Sequence, residues 1–130
     1  MTVYLSVAQL LDLSRVLMRQ FGGRLGVRDR AGLESAAARP AATFDGEDLY
    51  PDVAAKAAAL AHSLVLNHPL VDGNKRLGAA AAELFLRING AELDANDEEF
   101  ESMMLSLAAG DVAVEALAVW FRQRVRGPAS

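Results

Sequence analysis

Stretches of alanine, leucine, arginine and glutamate recur along this sequence, and helix-capping residues, glycines and prolines separate them at short intervals. The four residue types are among the better helix formers, and alanine alone contributes 25 of the 130 residues. Because each interruption ends one helix or starts the next, the pattern favours short helices. It therefore predicts an all-α fold, a compact bundle of about six helices that forms one domain over residues 1–130.

Each predicted helix begins at a residue that can cap a helix or open its first turn. In the first helix, apolar residues recur with helical spacing from Leu10 to Phe21, so Phe21 is expected to continue the apolar stripe. The predicted starts, in chain order, are Ser6, Asp29, Pro51-Asp52, Asp72-Gly73, Asn96 and Asp111. The first five helices are predicted to end at Gly22-Gly23, Ala37, Asn67, Asn89-Gly90 and Gly110.

Residues 41–50, which read AATFDGEDLY, interrupt this helical pattern. The stretch has turn-forming residues and no helical period, so it is predicted to form a loop or a small hairpin. Elsewhere, His62 is interpreted as a structural histidine, because histidines in helices are commonly part-buried. Trp120 and Phe121 are expected to anchor the last helix by packing.

Composition excludes several classes of protein. Hydrophobic residues make up 52% of the chain and charged residues 23%, as in globular proteins. The absence of cysteine excludes disulfides, zinc-thiolate sites and thiol nucleophiles. The net charge of −4 argues against a direct nucleic-acid partner. The longest apolar run contains Lys56 and His62 and is too short to span a membrane, so we expect a cytoplasmic protein.

Residues 68–76, which read HPLVDGNKR, place unusual charges at the start of a predicted helix. Free backbone N–H groups give a helix N-terminus a partial positive charge, so Lys75 and Arg76 in its first turn cost stability. A bound anion, most naturally a phosphate, would satisfy both the N–H groups and the two cations. The segment is therefore a candidate phosphate-binding turn, although it lacks the glycine spacing of a P-loop.

Two further residues of this segment carry chemistry. Asp72 precedes the turn, and a lone carboxylate beside phosphates is a common way to hold Mg²⁺. His68 has an ordinary pKa close to neutral pH, which suits a general base. The same residues also admit a structural interpretation, in which His68-Pro69 breaks a helix, Asp72-Gly73 caps one, and Lys75 and Arg76 are surface charges. Spacing alone leaves both interpretations open.

The segment resembles the signature of the Fic/Doc family, His-x-Phe-x-Asp/Glu-Gly-Asn-Gly-Arg-x-x-Arg. Asn74-Lys75-Arg76 matches the variant of the death-on-curing (Doc) type, which carries lysine where most Fic proteins carry glycine. Phe21-Gly22-Gly23, the stretch LFLRING at residues 84–90 and the chain length are also similar to Doc toxins of bacterial toxin–antitoxin modules. The resemblance covers nearly the whole chain and implies the Fic/Doc fold.

The resemblance also implies an activity and roles for the matching residues. His68 would be the base that deprotonates the target hydroxyl, and Asp72 would hold Mg²⁺. ATP phosphates would be bound by Gly73, Asn74, Lys75 and Arg76. In Doc toxins the lysine accompanies an inverted nucleotide, so the catalytic residues His68, Asp72 and Lys75 would transfer the γ-phosphate of ATP to a Thr or Ser of a translation factor. The implied target is elongation factor Tu, and the implied regulator is an antitoxin whose disordered segment folds on binding.

Some positions depart from the family pattern. Leu70 replaces the phenylalanine of the signature and is expected to keep its place in the core. Ala79 stands where the last arginine of the signature would be, which argues against AMP transfer. Polar nucleotide contacts that relatives carry are missing at residues 78–80. Two alternatives therefore stay open, namely transfer of AMP to a protein hydroxyl and a catalytically degenerate module that only binds an antitoxin.

Residues 41–50 fall where the family has a flap that binds the target protein. An exposed strand edge there would pair with a strand of the substrate. A simple connecting loop is the alternative interpretation of this stretch.

Overall fold

Residues 1–127 are described by a computed structural model, and six α-helices dominate this part of the chain. They are α1 (Val7–Phe21), α2 (Arg30–Ala38), α3 (Val53–Leu66), α4 (Asn74–Ile88), α5 (Asp97–Ala108) and α6 (Val114–Arg122). A short 3₁₀ turn, Arg39–Ala41, follows α2. The prediction of an all-α bundle of about six helices is confirmed. No helix within residues 1–127 combines the length and apolar character needed to cross a membrane.

Four of the helices begin at the caps that the sequence predicts. In each case a side-chain oxygen accepts a hydrogen bond from a backbone N–H in the first turn, which satisfies a donor that the helix itself cannot pair. The capping residues are Ser6 for α1, Asp29 for α2, Asp52 for α3 and Asn96 for α5. In α1 and α5 the side chain of the third helical residue also accepts a hydrogen bond from the backbone N–H of the capping residue, which completes a capping box.

The start of α6 differs from the prediction, whereas α4 has its capping position within the predicted Asp72-Gly73 pair. Helix α6 begins after Ala113 and not at Asp111, because the Asp111 N–H donates to the Ser106 carbonyl at 3.1 Å and stays attached to the end of α5. Helix α4 begins at Asn74, with Gly73 in the capping position. Within the described chain, neither start has a side-chain cap.

Helix α3 forms the centre of the bundle and is buried along almost its whole length. Its alanines have no bulky side chain, so α4 and α6 pack closely on either side of it. Gly78 of α4 lies where this helix crosses α3. A Cβ atom at Gly78 would stand 2.7 Å from Cγ2 of Val65 in α3. The large core side chains around this axis include Leu64, Leu77, Phe85, Leu117 and Phe121.

Residues 43–48 form a flap hairpin, which resolves the choice between loop and hairpin. Strand β1 (Thr43–Phe44) pairs antiparallel with β2 (Glu47–Asp48), with Thr43 opposite Asp48. Asp45 and Gly46 both have positive φ, as a two-residue type I′ turn requires. A second antiparallel pair, β3 (Glu92–Leu93) with β4 (Val125–Arg126), ties the chain after α6 to the end of α4.

Two cations attach the flap hairpin to α3. The buried Lys56 ammonium donates to the Asp48 carboxylate at 3.1 Å and to the Pro40 carbonyl at 3.2 Å. Its Nζ also lies 5.6 Å from the ring centroid of Tyr4. The base of the hairpin is therefore fixed from inside the bundle.

Arg39 makes the second attachment, because it joins Tyr50, just after the hairpin, to α3. Its guanidinium donates to the Tyr50 hydroxyl at 2.8 Å, to Nδ1 of His62 at 3.0 Å and to the Ser63 hydroxyl at 2.9 Å. Burial, together with the Arg39 charge, lowers the pKa of His62. A neutral His62 that accepts a hydrogen bond agrees with the structural role predicted for it.

Candidate active site

The chain between α3 and α4, here called the motif loop (residues 67–73), carries the exposed His68 and Asp72. His68 has φ of +48°, which is uncommon for a residue with a side chain. A following proline also disfavours helical backbone angles, and Pro69 follows directly. Such a conformation persists only where its surroundings hold it in place, and it is found preferentially at functional sites.

A second segment, the bracing loop (residues 22–29), runs along the motif loop and holds it. The Val71 N–H donates to the Gly26 carbonyl at 3.0 Å, and the Arg28 N–H donates to the Pro69 carbonyl at 2.8 Å. Between these bonds, Val27 and Leu70 form an antiparallel bridge. The sequence predicted only that a helix ends at Gly22-Gly23, and it missed the role of the segment that follows.

Two glycines allow the bracing loop and the motif loop to touch. Gly23 has φ of +118°, and a Cβ atom there would lie 2.9 Å from the Asp72 carboxylate. Gly26 has φ of +146°, and its Cβ would lie 3.1 Å from Cγ2 of Val71. Glycines spaced three residues apart in a loop were the available signal of this close approach.

Asp72 does not cap α4, contrary to the structural interpretation of this residue. Its carboxylate accepts a hydrogen bond of 3.3 Å from the Arg24 N–H, across the gap to the bracing loop. Gly73, in the capping position, has a left-handed backbone with φ of +82°. The first N–H groups of α4 have no acceptor within the helix, so its positive end can receive an anion.

Asn74 and Gly73 fix the turn from the inside. The Asn74 side chain accepts from the Leu70 N–H at 2.9 Å and donates to the Leu70 carbonyl at 3.1 Å. Since its amide is engaged in this way, Asn74 offers an anion its backbone N–H. Gly73 suits this position because its φ of +82° strains any residue with a Cβ atom, and a Cβ there would also displace the terminal methyl group of Met18.

Lys75 and Arg76 are exposed in the first turn of α4 and line a groove between α1, α4 and α5. The groove has a volume of about 550 Å³, and Phe100, Met104 and Leu105 are among its apolar lining residues. Phe21 also lines it and is 57% exposed, although its spacing continues the apolar positions of α1. The Arg76 guanidinium lies over the Phe21 ring, 4.6 Å from its centroid.

The donor set near Asp72 limits what kind of metal site is feasible. Within residues 1–127, no three His, Asp or Glu side chains converge in a group that could hold a metal ion. Asp72 can therefore contribute one carboxylate, and phosphates and water would have to complete the coordination. Mg²⁺ fits such a site, because it commonly binds through one or two carboxylates with substrate phosphates and water.

The region just described is also the region that matches known proteins. A sequence profile of the Fic/DOC family matches residues 4–86, which include α1, the bracing loop, the motif loop and most of α4. The chain belongs to the Fic/Doc family. It is also 45% identical over 120 residues to Toxin Doc of Mycolicibacterium smegmatis (strain ATCC 700084 / mc(2)155). That alignment covers 91% of this chain and 90% of the relative, so the resemblance inferred from residues 68–76 is confirmed.

Core packing explains two positions at which this chain departs from the pattern of the Fic/Doc family. Leu70 is 5% exposed and belongs to the core, so it keeps the packing role expected of the aromatic residue it replaces. Gly78 is buried against α3, where it serves helix packing and faces away from solvent. A polar nucleotide contact at position 78 would therefore require a different crossing of α3 and α4.

Proposed function

We propose that this Fic/Doc protein is a toxin that transfers the γ-phosphate of ATP to a Thr or Ser hydroxyl of a protein. The observation that carries the proposal is the uncapped start of α4, which bears Lys75 and Arg76 beside the braced loop of His68 and Asp72. The relative from M. smegmatis is named as a toxin, which supports the biological role. The proposed target is elongation factor Tu, whose modification would stop translation in the cytoplasm.

In the proposed reaction, His68 accepts the proton of the target hydroxyl while the hydroxyl oxygen attacks the γ-phosphorus. The bond from this phosphorus to the oxygen that it shares with the β-phosphate breaks, and ADP leaves. The backbone N–H groups at residues 73–76 and the side chains of Lys75 and Arg76 bind the phosphates. Asp72 would hold Mg²⁺, which supplies neutralisation of phosphate charge when bound.

Lys75 is the residue that favours phosphate transfer over AMP transfer. It adds length and positive charge at a position where most relatives in the family carry glycine, in the first turn of α4. The phosphate chain would then meet an obstacle and a counter-charge at that point, which favours a reversed nucleotide. Ala79 in place of the last signature arginine supports the same choice.

A pair of labelling reactions tests the chemistry. Purified protein, Mg²⁺ and elongation factor Tu are mixed with ATP labelled at the γ-phosphate in one reaction and at the α-phosphate in the other. Label from the γ position alone is the expected result. Label from the α position would overturn the kinase proposal in favour of AMP transfer. No transfer from either position, in a bacterial lysate as well, would favour the degenerate antitoxin-binding module.

Variants assign the reaction to the motif loop. His68→Ala and Lys75→Ala are expected to lose label transfer and growth arrest without loss of fold, since both side chains are exposed. Arg15→Ala is the matched control, because Arg15 is an exposed cation on α1 whose one ion pair within residues 1–127 is with the exposed Asp12. Full toxicity of His68→Ala would show that His68 is not the base.

We also propose an antitoxin partner that docks in the groove beside Lys75 and Arg76. Phe21 and Leu105 expose large apolar surfaces there, and a disordered segment that folds as a helix would cover them. A co-expressed antitoxin from the neighbouring reading frame should bind the wild type and bind Leu105→Glu more weakly. Equal binding by both would exclude this groove as the docking site.

A further inference from the structure

Arg28, a residue of the bracing loop outside the signature, donates to three successive carbonyls of the motif loop. Its guanidinium Nε donates to the His68 carbonyl at 2.8 Å, and Nη2 donates to the Asn67 carbonyl at 3.2 Å. Its backbone N–H donates to the Pro69 carbonyl at 2.8 Å. One residue therefore engages every peptide carbonyl from the end of α3 to the proline.

These contacts fix the backbone of His68 on both sides. The Asn67 carbonyl belongs to the peptide plane before His68 and the His68 carbonyl to the plane after it, and each plane is rigid. When both planes are held, φ and ψ of His68 are set, and so is the direction in which its side chain leaves the backbone. His68 needs this support because its φ is +48° and a proline follows.

We propose that Arg28 is a positioning residue for His68. A planar guanidinium can donate to two neighbouring carbonyls at once, whereas a lysine ammonium is a point charge without this fork. The catalytic consequence rests on the proposed function, in which His68 is the base. The structural consequence, a fixed imidazole, does not depend on any activity.

Loss of Arg28 is expected to act locally. Asn67 is also held through its side chain, which donates to the Gly32 carbonyl at 3.0 Å, and Leu70 is buried in the core. Arg28 itself is exposed. Arg28→Ala should therefore fold, with a melting temperature close to that of the wild type, while the backbone of His68 is released.

The test combines nuclear magnetic resonance with kinetics. The chain has two histidines, so the Cε1–H signals of the imidazoles can be assigned with His68→Ala. Arg28→Ala should shift or broaden the His68 signal and leave the His62 signal in place. It should also lower kcat about 10- to 100-fold with KM for ATP little changed, since misplacement of a catalytic group by about 1 Å can cost that much.

Two further variants sharpen the test. Arg30→Ala is the matched control, because Arg30 is nearby in the chain and exposed, and its one ion pair among the described residues is a 4.0 Å contact with Glu34. It should change neither the signal nor kcat. Arg28→Lys should behave like Arg28→Ala, because one ammonium cannot orient both carbonyls. Full rescue by lysine would show that charge suffices and would overturn the two-carbonyl mechanism.

The outcomes for the positioning role and for the proposed function can be separated. An unchanged His68 signal in Arg28→Ala overturns the positioning role whatever the activity. A shifted signal with no detectable transfer by the wild type supports the positioning role and counts against the proposed function. A shifted signal with undiminished kcat would overturn the catalytic part of the inference.

Discussion

Replacement of Lys56 by methionine tests whether a buried cation stabilises the attachment of the flap hairpin. Lys56 is 2% exposed, and its ammonium is held by the Pro40 carbonyl, the Asp48 carboxylate and the face of Tyr4. Methionine retains most of the side-chain volume, so the change removes the charge and its hydrogen bonds without opening a large cavity. The hairpin would then lose its attachment to α3 at Asp48.

The magnitude follows from the two hydrogen bonds and the cost of burying a charge. A hydrogen bond to a charged group contributes about 1.5–3 kcal/mol, and a buried acceptor left unpaired costs about 1–3 kcal/mol. The Asp48 side chain is 50% exposed, so water screens its share and the Pro40 carbonyl dominates. Methionine has no charge to bury, so the variant avoids the desolvation cost of the ammonium, and this offsets part of the lost stability. We expect a net destabilisation of about 2–3 kcal/mol from these terms.

Urea unfolding measures this loss. With a denaturant slope of about 1.5 kcal/mol per molar urea, the midpoint should fall by about 1.3–2 M. Asp48→Asn, which keeps the Pro40 contact, should lose about 1 kcal/mol. Arg15→Met, which breaks the exposed pair with Asp12, should lose less than about 1 kcal/mol. A Lys56→Met protein as stable as the wild type would refute the reasoning. It would show that burying the ammonium costs as much free energy as its hydrogen bonds and its contact with Tyr4 contribute.

Three further predictions concern the loops and the pH dependence of stability. Gly23→Ala should lower label transfer at least about tenfold, because its Cβ would press on the Asp72 carboxylate; unchanged transfer would contradict this. Asn74→Ala should lower the free energy of unfolding by about 1–3 kcal/mol, measured in urea, because the Leu70 N–H and carbonyl lose their partners. Burial lowers the pKa of His62 below 6.5, so the unfolded chain binds a proton that the folded chain resists. Stability should therefore fall as the pH drops below 6.5, and His62→Asn should lessen that fall; an unchanged pH slope would contradict it.

Helix starts were predictable where the determining contact is local. Ser6, Asp29 and Asn96 each accept from a backbone N–H three residues ahead, and a contact of that span is visible in the sequence. Asp111 was misassigned because it lies between the end of α5 and the start of α6. Its N–H donates to the Ser106 carbonyl of α5, and α6 begins later in the chain. Phe21 has helical spacing but lies in the last turn of α1, where it lines the groove and contacts Arg76.

The residues of the candidate site were predictable because they are contiguous, whereas their support was not. The bracing loop contacts the motif loop about 40 residues away in the chain, largely through backbone atoms such as the Gly26 and Pro69 carbonyls. Any residue type supplies these atoms, so composition and periodicity carry no record of them. Arg28 is one of 11 arginines, and only the fold distinguishes it from the others.

The start of α4 shows how stability and function are divided within this fold. Helices α1 and α5 have full capping boxes, whereas α4 begins on an uncapped left-handed glycine with two cations in its first turn. Each of these features is unfavourable for an isolated helix. They are tolerated because Leu70 is buried in the core, Asn74 clamps its backbone, and the bracing loop holds the other side. The neighbouring segments thus supply the stability that α4 lacks, and its positive end stays open to an anion.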